Sequence, residues 1–159
     1  MQSTSIKELS KPKLLQKDLA LLHQLRANAR TSLTEMSKKT RIPISTLYDR
    51  LRVNEGSLIR KHTSLLDFEK LGYQARVHVL LKAPSAKRQS LENHLNFHES
   101  VNSLFRLANG FHFLVECIFS TISEVETFIR SLEEDFDVFE YQTNYVVDDV
   151  KREGFFSAS

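Results

Sequence analysis

Ser45, Thr46, Tyr48, Asp49, Arg50 and Arg52 place two hydroxyls, a phenol, a carboxylate and two guanidiniums around Leu47 and Leu51, which lie one helical turn apart. On a helix the two leucines face a core and leave the polar groups mostly on the other sides. Such an element offers hydroxyls at its N-terminal end for phosphate oxygens or bases, and arginine forks that match the guanine edge. Arg60 and Lys61 follow within Ser57 to Ser64, where Leu58 and Ile59 precede a polar basic run, a pattern that suits a short strand or wing. The set is expected to contact double-stranded DNA, with the helix in the major groove.

Other groups of chemical interest lead elsewhere. His94 and His98 are four residues apart on an expected helix, but no third ligand is in view, so they read as surface or partly buried side chains and no metal is expected. Cys117 alternates with Phe113 and Val115 and reads as core. It is the single cysteine, so no intramolecular disulfide or thiolate zinc site is expected. Glu133, Glu134 and Asp135 sit at a helix end as solvated charge, and with only 4 glycines there is no phosphate-cradling loop. Neither an enzyme nor a cofactor is expected. No apolar run approaches a membrane span and the first residues carry no export signal, so the expected location is the cytoplasm, without membrane contact.

The elements that must position these groups divide by charge. Residues 1–73 hold 14 Lys+Arg against 7 Asp+Glu, a balance of +7, while residues 74–159 hold 8 against 13, or −5. A basic module attracts a polyanion and an acidic one is repelled, so the first alone is expected to touch nucleic acid. Met1 to Pro12 reads as a basic arm. Leu15, Leu19, Leu22 and Leu25 mark a first helix from about Leu14 to Ala27, Ser32 and Glu35 form a capping box before a second, and Arg41, Ile42 and Pro43 break it before a third that starts near Ser45 and ends near Gly56. This is a helix-turn-helix. The period then changes to two from Ala75 to Lys82. A helix from Ala86 to Phe97, strands on either side of the hairpin signal Asn109-Gly110, a helix introduced by Ser123 and Glu126, and a last strand from Val138 to Val147 complete a β-α-β-β-α-β order. The expected fold is α+β: a winged helix-turn-helix domain over residues 1–64, a linker over 65–73, and an acidic ferredoxin-like effector and oligomerisation domain over 74–159.

Several stretches in this order resemble the Lrp/AsnC, or feast/famine, regulators. Ser45-Thr46-Leu47-Tyr48-Asp49-Arg50-Leu51 is similar to that family's recognition helix, and Leu58-Ile59-Arg60-Lys61-His62-Thr63-Ser64-Leu65-Leu66-Asp67 to its wing and linker. Leu66-Asp67-Phe68-Glu69-Lys70-Leu71-Gly72-Tyr73 is similar to the entry into its second domain, and Tyr145-Val146-Val147-Asp148-Asp149-Val150-Lys151 to its last strand. The resemblance implies a sequence-specific transcription regulator that binds dyad-symmetric operators as a homodimer assembling into a larger homo-oligomer. It departs from the family at the turn between the second and third strands. There the family has a Gly-acidic-aromatic-Asp element near a small-amino-acid site, and this chain has Asn109-Gly110-Phe111-His112. His112 supplies no fixed negative charge for an ammonium, so no response to a free amino acid is expected at this turn. Two alternatives share the β-α-β-β-α-β order. Gly110-Phe111-His112-Phe113-Leu114 partly resembles an RNA-recognition-motif signature, whose aromatics stack on bases, and a ferredoxin-like enzyme would rest on fold analogy alone. Leu80, Leu104, Leu114 and Ile118, on both faces of their strands, call for cover beyond the helix side and so for self-association.

Overall fold

The computed structural model describes residues 15–108 and 110–157. The basic arm from Met1 to Pro12, the helix start at Leu14, and Asn109 lie outside the described residues. The chain divides into two compact units, one spanning Leu65–Val150, the other joining the residues up to Ser64 with those from Lys151 onward. The described residues from Lys151 therefore cluster with the helices, although the expectation assigned them to the second domain.

In the helical unit α1 spans Gln16–Ala27, α2 Leu33–Thr40 and α3 Ile44–Glu55. Ser32 caps α2 by accepting from the Glu35 amide at 3.2 Å, as the capping box requires. The break before α3 has two causes. Arg41 takes a left-handed conformation (φ 58°) while its amide donates to the Ser37 carbonyl, and Pro43, the residue before α3, has no amide to continue the ladder. Leu21, Met36 and Leu47 are fully or almost fully buried together, with Leu25, Leu33, Ile42 and Leu51 packed around them. This core is small because three short helices enclose little volume.

After α3 the expected strand or wing does not form: residues 59–67 have no regular secondary structure. A strand needs a neighbour for its amides, and no described segment pairs with this one. Its first amides fold back instead, with Ser57, Leu58 and Ile59 all donating to the Asn54 carbonyl at 2.8 to 3.1 Å.

In the second unit β1 (Ala75–Lys82), α4 (Arg88–Phe97), β2 (Val101–Arg106), β3 (Phe113–Phe119), α5 (Ile122–Phe136) and β4 (Glu140–Tyr145) follow the expected order. The strands form an antiparallel sheet in the order β2-β3-β1-β4. α5 begins two residues before the expected capping pattern. Thr121 accepts from the Glu124 amide and the Glu124 carboxylate accepts from the Ser120 amide, so a Thr-x-x-Glu pattern caps the helix two residues earlier. The hairpin is also wider than a two-residue turn, because Phe111 and His112 leave the ladder before β3 begins.

Register sorts the side chains. Val77, Val79 and Leu81 face Cys117, Val115 and Phe113 across the ladder, and this face packs on Leu91 and Leu95 of α4 and on Val125, Phe128, Ile129 and Leu132 of α5. Leu104 pairs with Val115 and packs against the same core, so its expected place on the uncovered face is corrected. Leu80, Leu114 and Phe105 lie in register on the face away from the helices. Beside them Glu116 is buried and accepts from Asn102, Ser103 and Arg76, while Arg76 also reaches Asp149 at 2.7 Å. Burial alone would raise the Glu116 carboxyl, but these donors outweigh it and hold it at about 2.

Leu132 is fully buried in this core. Truncation to alanine is expected to cost about 2–5 kcal/mol, read as a lower denaturation midpoint at an unchanged denaturant slope.

Candidate nucleic-acid interface

The third helix separates its side chains as the leucine spacing requires. Leu47 is fully buried and Leu51 half-buried, while Ser45, Tyr48, Asp49 and Arg52 are exposed. These four recur at three- and four-residue intervals, so they form one stripe along the helix. Ile44 and Val53 extend its apolar component and Thr46 sits half-buried at its margin. No side chain caps the N-terminus of α3, since the preceding residue is Pro43. The stripe thus begins at free helix amides and a serine hydroxyl, groups that favour an anion. Arg52 forms no ion pair with any described residue.

Arg50 has a different task from the one expected. Its Nε and Nη2 donate to the two carboxylate oxygens of Asp18 on α1, both at 2.6 Å. Asn54, one turn further on and itself buried, donates to Asp18 at 2.9 Å and to the Arg50 carbonyl at 2.7 Å. Asp18 also accepts from the Leu15 amide at 3.1 Å, which caps α1. One buried carboxylate thus starts the first helix and fixes the third. The Arg50 hydrogen bonds hold the Asp18 carboxyl down at about 2 against the opposing effect of burial, with help from Asn54 and the Leu15 amide. Arg50 is accordingly a structural partner of Asp18, a role that the sequence reading did not assign it. The spacing placed it off the leucine face, but nothing in the spacing tells a solvated guanidinium from one aimed at a carboxylate 32 positions earlier.

Arg60 and Lys61 are exposed on the irregular segment after α3. The neighbouring His62 lies 3.1 Å from Glu55, the last residue of α3. Arg41, in the turn before α3, is exposed as well. The sequence reading used it only as a helix breaker, and its left-handed conformation, which sets where its side chain leaves the turn, has no sequence signature.

Among the described residues of the turn where an effector element was expected, Gly110, Phe111 and His112, none carries a carboxylate. His112 is half-buried. Its amide donates to the Leu81 carbonyl at 2.8 Å, its carbonyl accepts from Leu107, and its Nδ1 accepts from the Ala83 amide at 3.2 Å. Burial first, then the charges of Arg88 and Lys82, lower its pKa, in keeping with a ring nitrogen that serves as an acceptor at the end of β1. Phe111 lies beneath the Lys82 ammonium at 5.1 Å. Phe113 is buried on the helix side of the sheet, which removes the second aromatic that an RNA-stacking surface would need.

The other candidates have ordinary partners. His94 and His98 face Phe136 and Phe128, and no group of three metal-ligating side chains occurs among the described residues. Cys117 is buried, and that burial, reinforced by the charge of Glu116, pushes its thiol up to about 12, far from nucleophilic chemistry at neutral pH. Among the described residues no helix is long and apolar enough to cross a membrane.

An aspartate held below its ordinary 3.8 contributes its full stability above that value and loses it as pH falls towards about 2. Acid unfolding of the helical unit is therefore expected to steepen between about pH 4 and 2. Asp18→Asn should flatten that dependence in circular dichroism titrations, and Glu116→Gln, which removes a carboxylate from the sheet unit, should leave it in place.

No family model matches the chain. Two curated relatives are an uncharacterized HTH-type transcriptional regulator of Pyrococcus furiosus, 24% identical over 116 residues that cover 72% of this chain and 78% of the relative, and the glutamate uptake regulatory protein of Zymomonas mobilis, 27% identical over 119 residues that cover 72% and 73%. Among solved structures, LrpC of B. subtilis superposes with a TM-score of 0.79 at 20% identity over 87% of this chain and 98% of that one. An AsnC family transcriptional regulator of Agrobacterium tumefaciens superposes with a TM-score of 0.75 at 16% identity over 87% and 94%. The resemblance read from the sequence thus holds for the fold over most of the chain: helix-turn-helix first, ferredoxin-like sheet second, as in the Lrp/AsnC regulators.

Proposed function

We propose that this chain is a transcription regulator of the Lrp/AsnC type that binds double-stranded DNA through its helical unit. The observation that carries this reading is the stripe Ser45, Tyr48, Asp49 and Arg52, solvent-exposed on a helix whose opposite side is fixed by Leu47 and by the Asp18-Arg50-Asn54 network. A reading helix must present several side chains at once in a set orientation, and a rigid rear face supplies that orientation. Ser45 and Thr46 at the start of α3 approach phosphates, Tyr48, Asp49 and Arg52 approach base edges, and Arg60, Lys61 and Arg41 add phosphate contacts on either side. The +7 balance of the first 73 residues favours the encounter, and the −5 balance of the rest keeps the sheet unit off the polyanion. The curated relatives named above carry the same broad designation of transcriptional or uptake regulator.

The acidic unit serves assembly in this reading. Leu80, Leu114 and Phe105 form an apolar strip on the uncovered sheet face, and Phe105 is 53% exposed. A homodimer that covers this strip gives two reading helices related by a dyad, which suits operators of dyad symmetry, and further association of dimers follows the same logic. With His112 occupied by the end of β1, the turn offers no carboxylate for an ammonium, so the protein binds its operator without a free amino acid at that site.

Arg52→Ala is expected to weaken binding to a selected operator by about 1–3 kcal/mol. Arg50→Ala should instead lower the melting temperature of the helical unit, because it leaves Asp18 buried without its cation. Filter binding with parallel thermal melts checks both, and an Arg52→Ala chain that binds operator at full strength overturns the assigned surface. Sedimentation at micromolar concentration is expected to show a dimer or larger, and Phe105→Glu to shift it towards monomer.

A further inference from the structure

The described end of the chain does not trail into solvent. Arg26, near the C-terminus of α1, donates through Nη2 to the Glu153 carbonyl at 2.8 Å and to its carboxylate at 3.0 Å, and through Nε to the Phe155 carbonyl at 3.1 Å. One turn earlier His23 stacks on Phe156, with ring centroids 3.9 Å apart and planes within 15°. The segment is shaped for this. Glu153 and Phe156 both take left-handed conformations, at φ 52° and 63°, costly for residues with side chains and sustained only where contacts outweigh them. The Ser157 hydroxyl closes the turn on the Gly154 carbonyl at 3.0 Å.

α1 is also the helix that carries Asp18, the carboxylate that holds Arg50 and Asn54 of α3. From the first turn of α1 the contacts run forward to the reading helix, and from its last two turns they run to residues 153–156. A 12-residue helix is stiff over that length, so a shift at one end is transmitted to the other.

We propose that Glu153 and Phe156 are positioning residues for DNA recognition, which touch no DNA and act through α1 on the orientation of α3. This inference rests on the reading of α3 as the DNA-contacting helix. Because residues 151–157 belong to the same compact unit as α1 to α3, their effect reaches the stripe without passing through the sheet. Base contacts tolerate misalignment poorly and phosphate contacts tolerate it well, so loosening α1 erodes selectivity before it erodes overall affinity.

The test uses the full-length chain with two probes: the duplex that the wild-type chain selects from a random-sequence library, and a scrambled duplex of the same composition. In Phe156→Ala and in Arg26→Ala the ratio of selected to scrambled affinity is expected to fall by about two- to thirtyfold, the range of couplings carried by residues remote from a ligand. The scrambled affinity and the salt slope of binding should stay at wild-type values, because the phosphate contacts are retained. Phe156→Tyr, which keeps the ring on His23, should restore the ratio. An unchanged ratio in both alanine variants overturns the inference. So does a parallel loss of both affinities that follows the melting of the helices, since that outcome describes a residue that only stabilises. A wild-type chain that selects no duplex sinks the DNA-binding reading itself, whereas selectivity that survives Phe156→Ala sinks this inference alone.

Discussion

A single carboxylate with almost no access to water organises the helical unit. Asp18 caps its own helix through the Leu15 amide, takes both arms of the Arg50 guanidinium, and accepts from Asn54. Burying such a charge is costly unless every lone pair finds a donor, and here the donors come from two helices whose mutual position is otherwise set by a core of a few leucines and a methionine. The network supplies what so small an apolar core lacks, a directional link that fixes the rotation of one helix about its axis and not merely its distance. Asn54 carries the constraint further. Its side chain belongs to the network while its carbonyl gathers the amides of Ser57, Leu58 and Ile59, so the path of the chain as it leaves α3 is fixed by the same residue.

The sheet unit solves a related problem with the same means. Its helix-facing side is apolar at the centre, with Arg106 at one margin paired to Glu92 of α4. On the other side Glu116 sits among Arg76, Asn102 and Ser103 beside the apolar strip of Leu80, Leu114 and Phe105. In both units a buried carboxylate is stabilised by an arginine and by an amide side chain, and both carboxyls are held at about 2. Polar groups with fixed partners on an otherwise apolar surface restrict how that surface can be covered, since a mismatched cover would strip the carboxylate of its donors.

How much of this was legible in the sequence depends on the range of the interaction. Local rules worked: the caps at Ser32, the break at Pro43, the alternation of β1 and the amphipathic spacing of α5 are all short-range. Where two frames satisfied the same rule, as at Thr121 and Ser123, the choice belonged to packing and the sequence was silent. The wing failed because apolar-then-basic patterning describes a strand's side chains and says nothing about whether its amides have a neighbour. The Asn109-Gly110 signal found the hairpin, but not that β3 would begin only at Phe113. The pairing of Arg50 with Asp18 was invisible for the clearest reason, because a charged residue off the apolar face of a helix looks the same whether it meets water or a carboxylate from far along the chain. The returning segment at 153–156 was read as part of the second domain, and only the fold reveals that Arg26 and His23 are its partners.

That return has a consequence for how the protein comes into being. Ribosomes deliver the helices first, yet the partner of Arg26 lies 127 positions downstream, so the helical unit waits for the entire sheet unit to emerge before its last contacts can form. A nascent chain therefore passes through a stage in which α3 exists but its support is incomplete, while the sheet unit stands in sequence between the two parts of one unit. Closing so long a loop costs only slightly more entropy than closing a short one, because the cost grows with the logarithm of length. The order of synthesis thus makes emergence of the acidic unit a precondition for a finished helical one, whose last described contacts form only once residues 153–156 have been translated.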